Sequence, residues 1–255
     1  MGFFNKLFAR KRRKEDKPTL VPAEAEKQSK PKMPVPSPEL AKHSRKAWVW
    51  ILSDGEAATN STRTGGRPMM GEDEAWPNCG DCENPLTFMM QSNLDALPEG
   101  MPDHESGILR FFYCLHDECA GMGGWDAFDP QHHLSILQGY GSTRTAPKGT
   151  FVISPQFVSD WEEIDDVPHW PDRGELSLTK NDDDVYAAVG HKYGGWPHWI
   201  QWDERPKCPN CAAVMEPFIQ LDEGCNYDFN FGSGIGHISQ CHNHPDVLAF
   251  AWACT

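Results

Sequence analysis

The chain has 255 residues, of which 39% are hydrophobic and 24% charged, and these proportions indicate a globular protein with a buried core. No run reaches the roughly 20 apolar residues that cross a bilayer. The start MGFFNKLFARKRRK does not resemble a secretory signal, because its apolar part is short and its basic residues follow that part instead of preceding it. The net charge is −14, but residues 1–46 carry 13 Lys/Arg against 5 Asp/Glu, whereas the remainder carries 10 against 32. Such an acidic body repels phosphate backbones, which argues against direct nucleic-acid binding.

Residues 1–14 are the first predicted element, a short amphipathic helix that ends in a basic run at residues 10–14. Its apolar side consists of Phe3, Phe4, Leu7 and Phe8. An apolar wedge beside basic residues favours anionic membrane surfaces. A solvated tail, or contact with RNA or protein, are the alternatives. We expect a cytoplasmic protein whose N-terminus makes peripheral contact with the inner membrane surface.

Residues 15–46 are rich in Pro, Lys, Glu and Ala, and this composition predicts a disordered linker. We place the folded domain at residues 47–255. Short apolar runs follow in chain order, and most of them are bounded by Gly, Pro or Asp, which is typical of strands. The folded domain begins with AWVWIL, and the runs after it are LTFMMQ, GILRFFYC, GTFVIS, EPFIQL and VLAFAWAC. A short helix is predicted over residues 182–195. The fold class is therefore α+β, mainly β.

An internal repeat appears when the chain is compared with itself at an offset of 129 residues. The aligned residues of the first copy are Gly65, Gly66, Pro68, Pro77, Cys79, Cys82 and Gln91. They match Gly194, Gly195, Pro197, Pro206, Cys208, Cys211 and Gln220. This register predicts an internal duplication of a β-rich unit with Cys-x-x-Cys knuckles, with halves at about residues 47–150 and 151–255.

Each predicted half carries four candidate metal ligands. The first set is Cys79, Cys82, Cys114 and Cys119, and the second is Cys208, Cys211, Cys241 and His244. Two short-range pairs of Cys or His are what a tetrahedral zinc site requires, and thiolates select zinc over magnesium or calcium. A sphere filled by four protein donors leaves no open position, so the pattern predicts one or two structural Zn²⁺ sites rather than catalytic ones.

Some assignments stay open at this level. His116 competes with Cys119, and His242 competes with His244. Cys225 and Cys254 are left over and are predicted to be buried apolar thiols. Free buried cysteines without a metal are one alternative to the zinc sites. A redox pair is another, but it requires a helix after the second cysteine, and Pro85 with its apolar run predicts a strand there.

Catalytic candidates are the pairs His116 with Asp117, His132 with His133 and Asp165 with Asp166, together with the acidic run 182–184 and His242. The paired histidines are more typical of a surface turn, and the acidic run is typical of a solvated face or a helix start. None of the common hydrolase or nucleotide-binding motifs is present. We therefore predict no enzyme activity.

The combined motifs GGRP…WPNCGDCENPLTFMMQ…GILRFFYC, KYGGWPHWIQ…CPNCAAVMEPFIQLD and GIGHISQCHNHPDVLAFAWAC resemble the bacterial YwqG-like family. That family is similar to the eukaryotic programmed-cell-death-2 proteins and their yeast ribosome-maturation relative. The resemblance covers residues 47–255 and implies a duplicated β-rich domain with metal-type cysteines. Eukaryotic relatives resemble chaperones for a small-subunit ribosomal protein, and bacterial relatives sometimes lie near toxin–immunity systems.

The expected function is a non-enzymatic, chaperone- or adaptor-like module that binds a protein or peptide. An acidic body rich in tryptophan suits a basic, extended polypeptide, such as a basic ribosomal protein or a toxin. The alternatives are a toxin-neutralising immunity protein and a metal-dependent hydrolase. Acidity that serves solubility alone is the simpler explanation of the charge.

Overall fold

The structure is a computed structural model, and it describes residues 35–101, 104–116, 119, 125–139, 141–178 and 184–255. The basic segment 1–14 and most of the predicted linker lie outside the described residues. Helix α1 (Pro38–Ala41) lies inside the range predicted as linker, and its Leu40 is buried beside Val167 and Val185. Within the described residues, no helix has the length and apolar content needed to cross a membrane.

The described residues form twelve strands and two short α-helices, so the mainly β prediction is confirmed. The first six strands are β1 (Arg45–Asp54), β2 (Arg63–Thr64), β3 (Met69–Met70), β4 (Thr87–Asn93), β5 (Ile108–Tyr113) and β6 (His132–Leu137). The second six are β7 (Ser142–Thr143), β8 (Gln156–Asp166), β9 (Lys192–Gly194), β10 (Glu216–Asp222), β11 (Ile235–Gln240) and β12 (Leu248–Ala253). Helix α2 (Trp170–Glu175) follows β8.

Ten strands form one sheet in the order β12-β11-β10-β9-β1-β8-β2-β4-β5-β6, and β3 pairs with β7 in a second, two-stranded sheet. The long strands β1 and β8 lie antiparallel at the centre. The large sheet curls until its two edges almost meet. The backbone N–H of Phe250 in β12 donates to the carbonyl of Ala127, just before β6, at 3.2 Å, and the Phe250 ring lies 5.6 Å from that of His132 in β6.

Outward from the central pair β1 and β8, each side of the sheet contains four further strands in the order in which they occur in the chain. One side reads β8-β2-β4-β5-β6 and the other reads β1-β9-β10-β11-β12. Strand β1 precedes β2 in the chain but pairs with β9, and β8 precedes β9 but pairs with β2. The first strand of each half is therefore joined to the sheet of the other half.

The concave face of the nearly closed sheet holds the aromatic core. Trp48 and Trp50 from β1 belong to the same buried cluster as Phe111, Tyr193 and Phe250. The rings of Phe111 and Phe250, from opposite ends of the strand order, lie 4.3 Å apart. Contact between these distant strands stabilises the curled shape, because closure buries aromatic surface that an open sheet would expose.

The opposite face of the sheet is covered by loops that depend on a buried glutamine in each half. The Gln91 side chain in β4 accepts a hydrogen bond from the Met69 N–H and donates to the carbonyls of Thr59 and Ser61, each at 2.9 Å. Gln220 in β10 makes the corresponding bonds with His198, Ala188 and Gly190 at 2.9, 3.0 and 3.0 Å. Each partner of Gln220 lies 129 residues after the corresponding partner of Gln91, and the two glutamines are separated by the same number.

Four of the five predicted strands are confirmed, in β4, β5, β10 and β12. The prediction of a strand at GTFVIS is wrong. Phe151 and Val152 are about half exposed, and the Ile153 carbonyl accepts a hydrogen bond from the Gly66 N–H of a turn. The helix over 182–195 is also wrong for the residues described there. Residues 188 and 190 offer their carbonyls to Gln220, and residues 192–194 are strand β9.

Two further predictions are corrected. His132 and His133 lie in strand β6 rather than in a surface turn. Cys225 is exposed and Cys254 is half-buried, so neither is the fully buried thiol that was predicted.

Candidate metal centres

The first Cys-x-x-Cys pair lies in a tight turn closed by the backbone just before β4. The Cys79 N–H donates to the Asn84 carbonyl at 2.8 Å, and the Glu83 N–H donates back to the Cys79 carbonyl at 3.0 Å. Glu83 has a φ of +60°, and the Leu86 N–H closes the base of the turn on Pro77 at 3.0 Å. These bonds bring Cys79 and Cys82 to one side of the turn.

The second pair lies in a turn of the same construction before β10. The Cys208 N–H donates to the Ala213 carbonyl and the Ala212 N–H donates to the Cys208 carbonyl, both at 2.8 Å. Ala212 also has a φ of +60°, and Met215 closes the base on Pro206 at 2.9 Å. Because no helix follows either turn, the geometry that activates redox cysteines is absent from this part of the described chain.

The remaining donors come from the strands beside these turns. Cys114 directly follows β5, and its N–H donates to the Gln131 carbonyl at 2.8 Å, while the Cys119 N–H bonds to the His116 carbonyl at 2.9 Å. Cys241 directly follows β11. A turn in which the Val247 N–H donates to the His244 carbonyl at 2.8 Å carries the fourth donor of the second group.

In each group the four donor atoms lie within 4.8 Å of one another. In the first, Sγ of Cys79 is 3.8 Å from Sγ of Cys119, and Sγ of Cys82 is 3.7 Å from Sγ of Cys114. A tetrahedron with Zn–S bonds of about 2.3 Å places its sulfur atoms about 3.8 Å apart. The distances fit a metal tetrahedron, and they exceed by far the roughly 2.05 Å of a disulfide bond.

The second group has the same dimensions, with one nitrogen. Sγ of Cys211 and Sγ of Cys241 are 3.7 Å apart, and Nδ1 of His244 lies 3.7 Å from Sγ of Cys208 and 3.8 Å from Sγ of Cys241. His116 and His242, the competing ligands in the sequence, belong to neither converging group. Each group could therefore hold one metal ion through four protein donors.

Hydrogen bonds favour the thiolate form of one cysteine in each group, whereas burial raises the pKa of Cys114, Cys119 and Cys241. Burial opposes ionisation of Cys82, but bonds from the backbone and side chain of Asn84 outweigh it and lower its pKa to about 7. The Ala213 N–H and the Asn243 amide, whose Nδ2 is 3.6 Å from the sulfur, lower the pKa of Cys211 to about 6. The groups differ in exposure, because Cys211 is exposed whereas Cys82 is half-buried.

A groove of about 1000 Å³ opens beside the second group. Its lining includes Trp48 of β1, Val214 and Phe218 after the second cysteine turn, and Cys241 with His242. The segments that the second donor group ties together therefore form part of the groove wall. Its volume lies at the upper end of the range for ligand pockets.

Most charged groups in the groove wall have partners. The Lys46 ammonium lies 2.8 Å from Glu163 and 3.0 Å from Asp165. The Arg45 guanidinium lies 3.4 Å from the centroid of the Trp196 ring. Such a lining of aromatic rings and paired charges suits a polypeptide segment better than a small anion.

In two of the polar pairs considered as catalytic, the two members lie in different surroundings. Asp165 is exposed and bonds to Lys46, whereas Asp166 is buried and lies 2.6 Å from the Lys192 ammonium. His132 packs on Phe250, and burial lowers its pKa to about 4, while its neighbour His133 is exposed. Asp117 and residues 182–183 lie outside the described residues.

A family model described as a domain of unknown function, DUF1963, matches residues 62–240. The match covers well over half of the chain, and it includes both cysteine turns and ends just before Cys241. No curated protein matches the chain. The relation to the YwqG-like and programmed-cell-death-2 proteins stays a prediction.

Proposed function

This chain belongs to the DUF1963 family, and we propose that it is a non-enzymatic module that binds a protein or peptide and is stabilised by two structural Zn²⁺ ions. The observation that carries this proposal is the geometry of the donor groups. One presents four thiol sulfurs and the other three sulfurs and an imidazole nitrogen at tetrahedral spacing, and such a sphere would leave no position for a substrate or an activated water.

Zinc is the proposed metal because three or four sulfur donors in a tetrahedron exclude the oxygen-preferring ions. When bound, it supplies folding free energy, on the order of 10 kcal/mol in small zinc modules. Cys79 and Cys82 would connect the start of β4 to Cys114 at the end of β5. Cys208 and Cys211 would connect the start of β10 to Cys241 at the end of β11. The proposed role is thus to hold neighbouring strands together.

We also infer that the two halves derive from an internal duplication. The support is the common offset of the cysteine turns and of the glutamine networks, together with the matching strand order. Two metal sites then follow from one ancestral unit. The halves have diverged in polar residues, since Arg63 of β2 corresponds to Lys192 of β9.

The binding role is supported by the groove beside the second metal group and by the charge of the body. Residues 47–255 carry 10 Lys/Arg against 32 Asp/Glu, and three of those cations, Arg63, Arg110 and Lys192, are buried. The remaining surface attracts basic polypeptides and repels nucleic acid and anionic lipid. A basic ribosomal protein or a toxin of a neighbouring system are partners of this kind, in a cytoplasmic setting.

A metal-dependent hydrolase is the rival function, and one experiment separates the two. Full-length protein is used to capture partners from native lysate, and captured polypeptides are identified and checked for cleavage by mass spectrometry. The proposal expects an intact basic polypeptide in stoichiometric amount, and reduced capture by Val214→Arg, which narrows the groove and adds repulsive charge. Turnover of a captured polypeptide, or no captured partner, would contradict it.

A further inference from the structure

Three exposed aromatic side chains, Trp202, Trp170 and Tyr186, are joined by ring contacts through the buried His169 in the second half. The rings of Trp202 and Trp170 are 6.0 Å apart at 71°, and His169 lies 6.3 Å from Trp170 and 5.6 Å from Tyr186. Trp202 is 70% exposed, and Trp170 and Tyr186 are each 45% exposed. We call these four residues the aromatic strip. Clustered exposed aromatic rings mark interaction surfaces more often than isolated ones do.

The aromatic strip is built on a rigid base. His169 packs on His198 with ring centroids 4.5 Å apart. Below α2, the indole N–H of buried Trp199 donates to Asp172 at 3.0 Å, and the same carboxylate accepts from Arg205 at 2.5 Å. Trp170 is thus held by a helix whose own Asp172 is anchored in the protein, so the strip loses little conformational freedom on binding.

The charges around the strip are acidic. Glu175, Asp184 and Asp203 are exposed. Two cations among the described residues beside the strip are bonded to protein oxygens: Arg205 has a side chain that is 7% exposed and bonds to carboxylates, and Arg173 donates to the carbonyls of Pro168 and Val185.

Beside Trp202, one carboxylate lacks compensation. Oε2 of Glu204 is buried and finds no hydrogen-bond partner among the residues that the structure describes. Burial, and then the neighbouring charge of Asp203, raise the Glu204 pKa to about 7. A cation placed at this end of the strip would stabilise the ionised form of Glu204.

Two ion pairs link the strip to the wall of the groove. Glu216 lines the groove and lies 3.3 Å from Arg205, which in turn lies 2.6 Å from Asp203, the residue after Trp202. Trp202 is thus connected to the groove wall through Asp203, Arg205 and Glu216.

We propose that the aromatic strip binds a lysine- or arginine-bearing segment of the polypeptide that occupies the groove. This inference rests on the proposed function and adds the surface and the chemistry of recognition. Cations stack favourably on indole faces, and the surrounding carboxylates increase their local concentration. The protein already contains this contact internally, since Arg205 lies 5.2 Å from the Trp199 ring centroid.

The test measures binding of a fluorescein-labelled peptide of alternating lysine and serine to the full chain by fluorescence anisotropy at low salt. Trp202→Ala and Trp170→Ala should each weaken binding about two- to fivefold, since each removes one exposed cation–π partner. The same peptide with glutamine in place of lysine should bind at least tenfold more weakly. Phe151→Ala is the matched control, because Phe151 is 50% exposed outside the strip, and it should leave the affinity unchanged.

The outcomes separate this inference from the proposed function. If both tryptophan variants bind the lysine peptide as tightly as the unmodified chain, the strip is not the recognition surface, although capture in the groove still stands if Val214→Arg reduces it. Equal affinity for the lysine and glutamine peptides would overturn the assignment of a basic ligand. Circular dichroism and metal content of each variant establish that the fold is intact.

Discussion

At the scale of single residues, two glutamines attach the covering loops to the large sheet through hydrogen bonds. Gln91 and Gln220 are almost completely buried, and each satisfies one N–H and two carbonyls of the loop that covers its half of the sheet. The repeat makes these positions visible in the sequence. Their role could not be predicted, because a glutamine at the end of an apolar run is equally compatible with an exposed strand end.

Replacing Gln91 by Ala should lower the free energy of unfolding by about 2–4 kcal/mol, because it removes three hydrogen bonds and leaves buried backbone groups unsatisfied. Urea denaturation measures this change. Gln138→Ala is the control, since Gln138 is exposed and makes one bond, to the Ser106 carbonyl, and it should cost less than about 1 kcal/mol. Similar effects of both substitutions would refute the role assigned to Gln91.

The convergence of the candidate metal donors could be predicted largely from the sequence. Regular spacing and the internal repeat pointed to eight candidate donors, and the structure brings their side chains into two groups that could each hold a metal ion. The choice of Cys119 over His116 and of His244 over His242 needed the fold, because residues three or four apart in a loop of unknown path are equally able to reach a metal.

Cys79→Ser should reduce the bound metal by one ion per chain and lower the free energy of unfolding by about 3 kcal/mol or more, since a buried donor group would lose its metal. Metal analysis and thermal denaturation give the two readouts. The matched control is Cys225→Ser, an exposed cysteine outside both groups, which should change neither. Retention of the metal with loss of a catalytic activity would instead favour the hydrolase.

At the scale of elements, short strands β2 and β9 depend on the glycine pairs that follow or end them. Gly65 and Gly66 have φ values of +61° and +71°, and Gly194 and Gly195 have +62° and +70°. A Cβ on Gly65 would lie 2.5 Å from the Ile153 carbonyl oxygen. The glycines therefore allow both a left-handed turn and the close approach of a second backbone segment.

Gly65→Ala should destabilise the protein by about 2–4 kcal/mol, because strain in the left-handed region adds to overlap with backbone atoms. Gly149→Ala separates the two causes. Gly149 has a φ of +93° but has open space around it, so its substitution should cost only about 1 kcal/mol. If chemical denaturation shows equal losses, the close contact at Gly65 does not contribute to stability.

The elements that sequence patterns missed have physical causes. Strand β8 contains five acidic residues in Gln156–Asp166, and most of its side chains are exposed or half-buried, so it lacks the apolar signal of a strand. Its pairing with β1 along the whole length stabilises it instead. GTFVIS has the apolar signal but no partner strand, because its backbone serves the Gly65–Gly66 turn. Tertiary pairing overrides local propensity in both cases.

At the scale of the whole molecule, a buried neutral histidine couples the fold to pH. His191 is fully buried against Trp50 and Phe229, and burial lowers its pKa to about 4. Between that value and the unfolded pKa of about 6.5, the unfolded chain binds more protons. Stability contributed by neutral His191 is therefore present above pH 6.5 and is lost as the pH falls toward 4.

Replacing His191 by Gln should reduce the slope of unfolding free energy against pH by up to about 1.4 kcal/mol per pH unit between pH 6.5 and 4.5. Urea denaturation at several pH values measures both slopes. The comparison with the unmodified chain is needed because acid also protonates the metal donors, an effect common to both proteins. Parallel slopes would show that His191 stays accessible to protons in the folded state.

The nearly closed sheet could be predicted only in part from the sequence. The repeat predicts two similar units. It does not predict that β1 pairs with β9 and β8 with β2, because this long-range pairing leaves no pattern in the neighbouring sequence. The aromatic strip likewise joins residues of α2 with residues 186 and 202, which no spacing rule connects.

The central claim is that two structural metal ions hold these strands together, and native mass spectrometry of the full chain tests it most directly. The account predicts a mass increase of two zinc ions per chain, lost on acidification, with all cysteines recovered as free thiols afterwards. A metal-free mass for folded protein, or a mass lowered by the hydrogens lost to disulfide bonds, would contradict it.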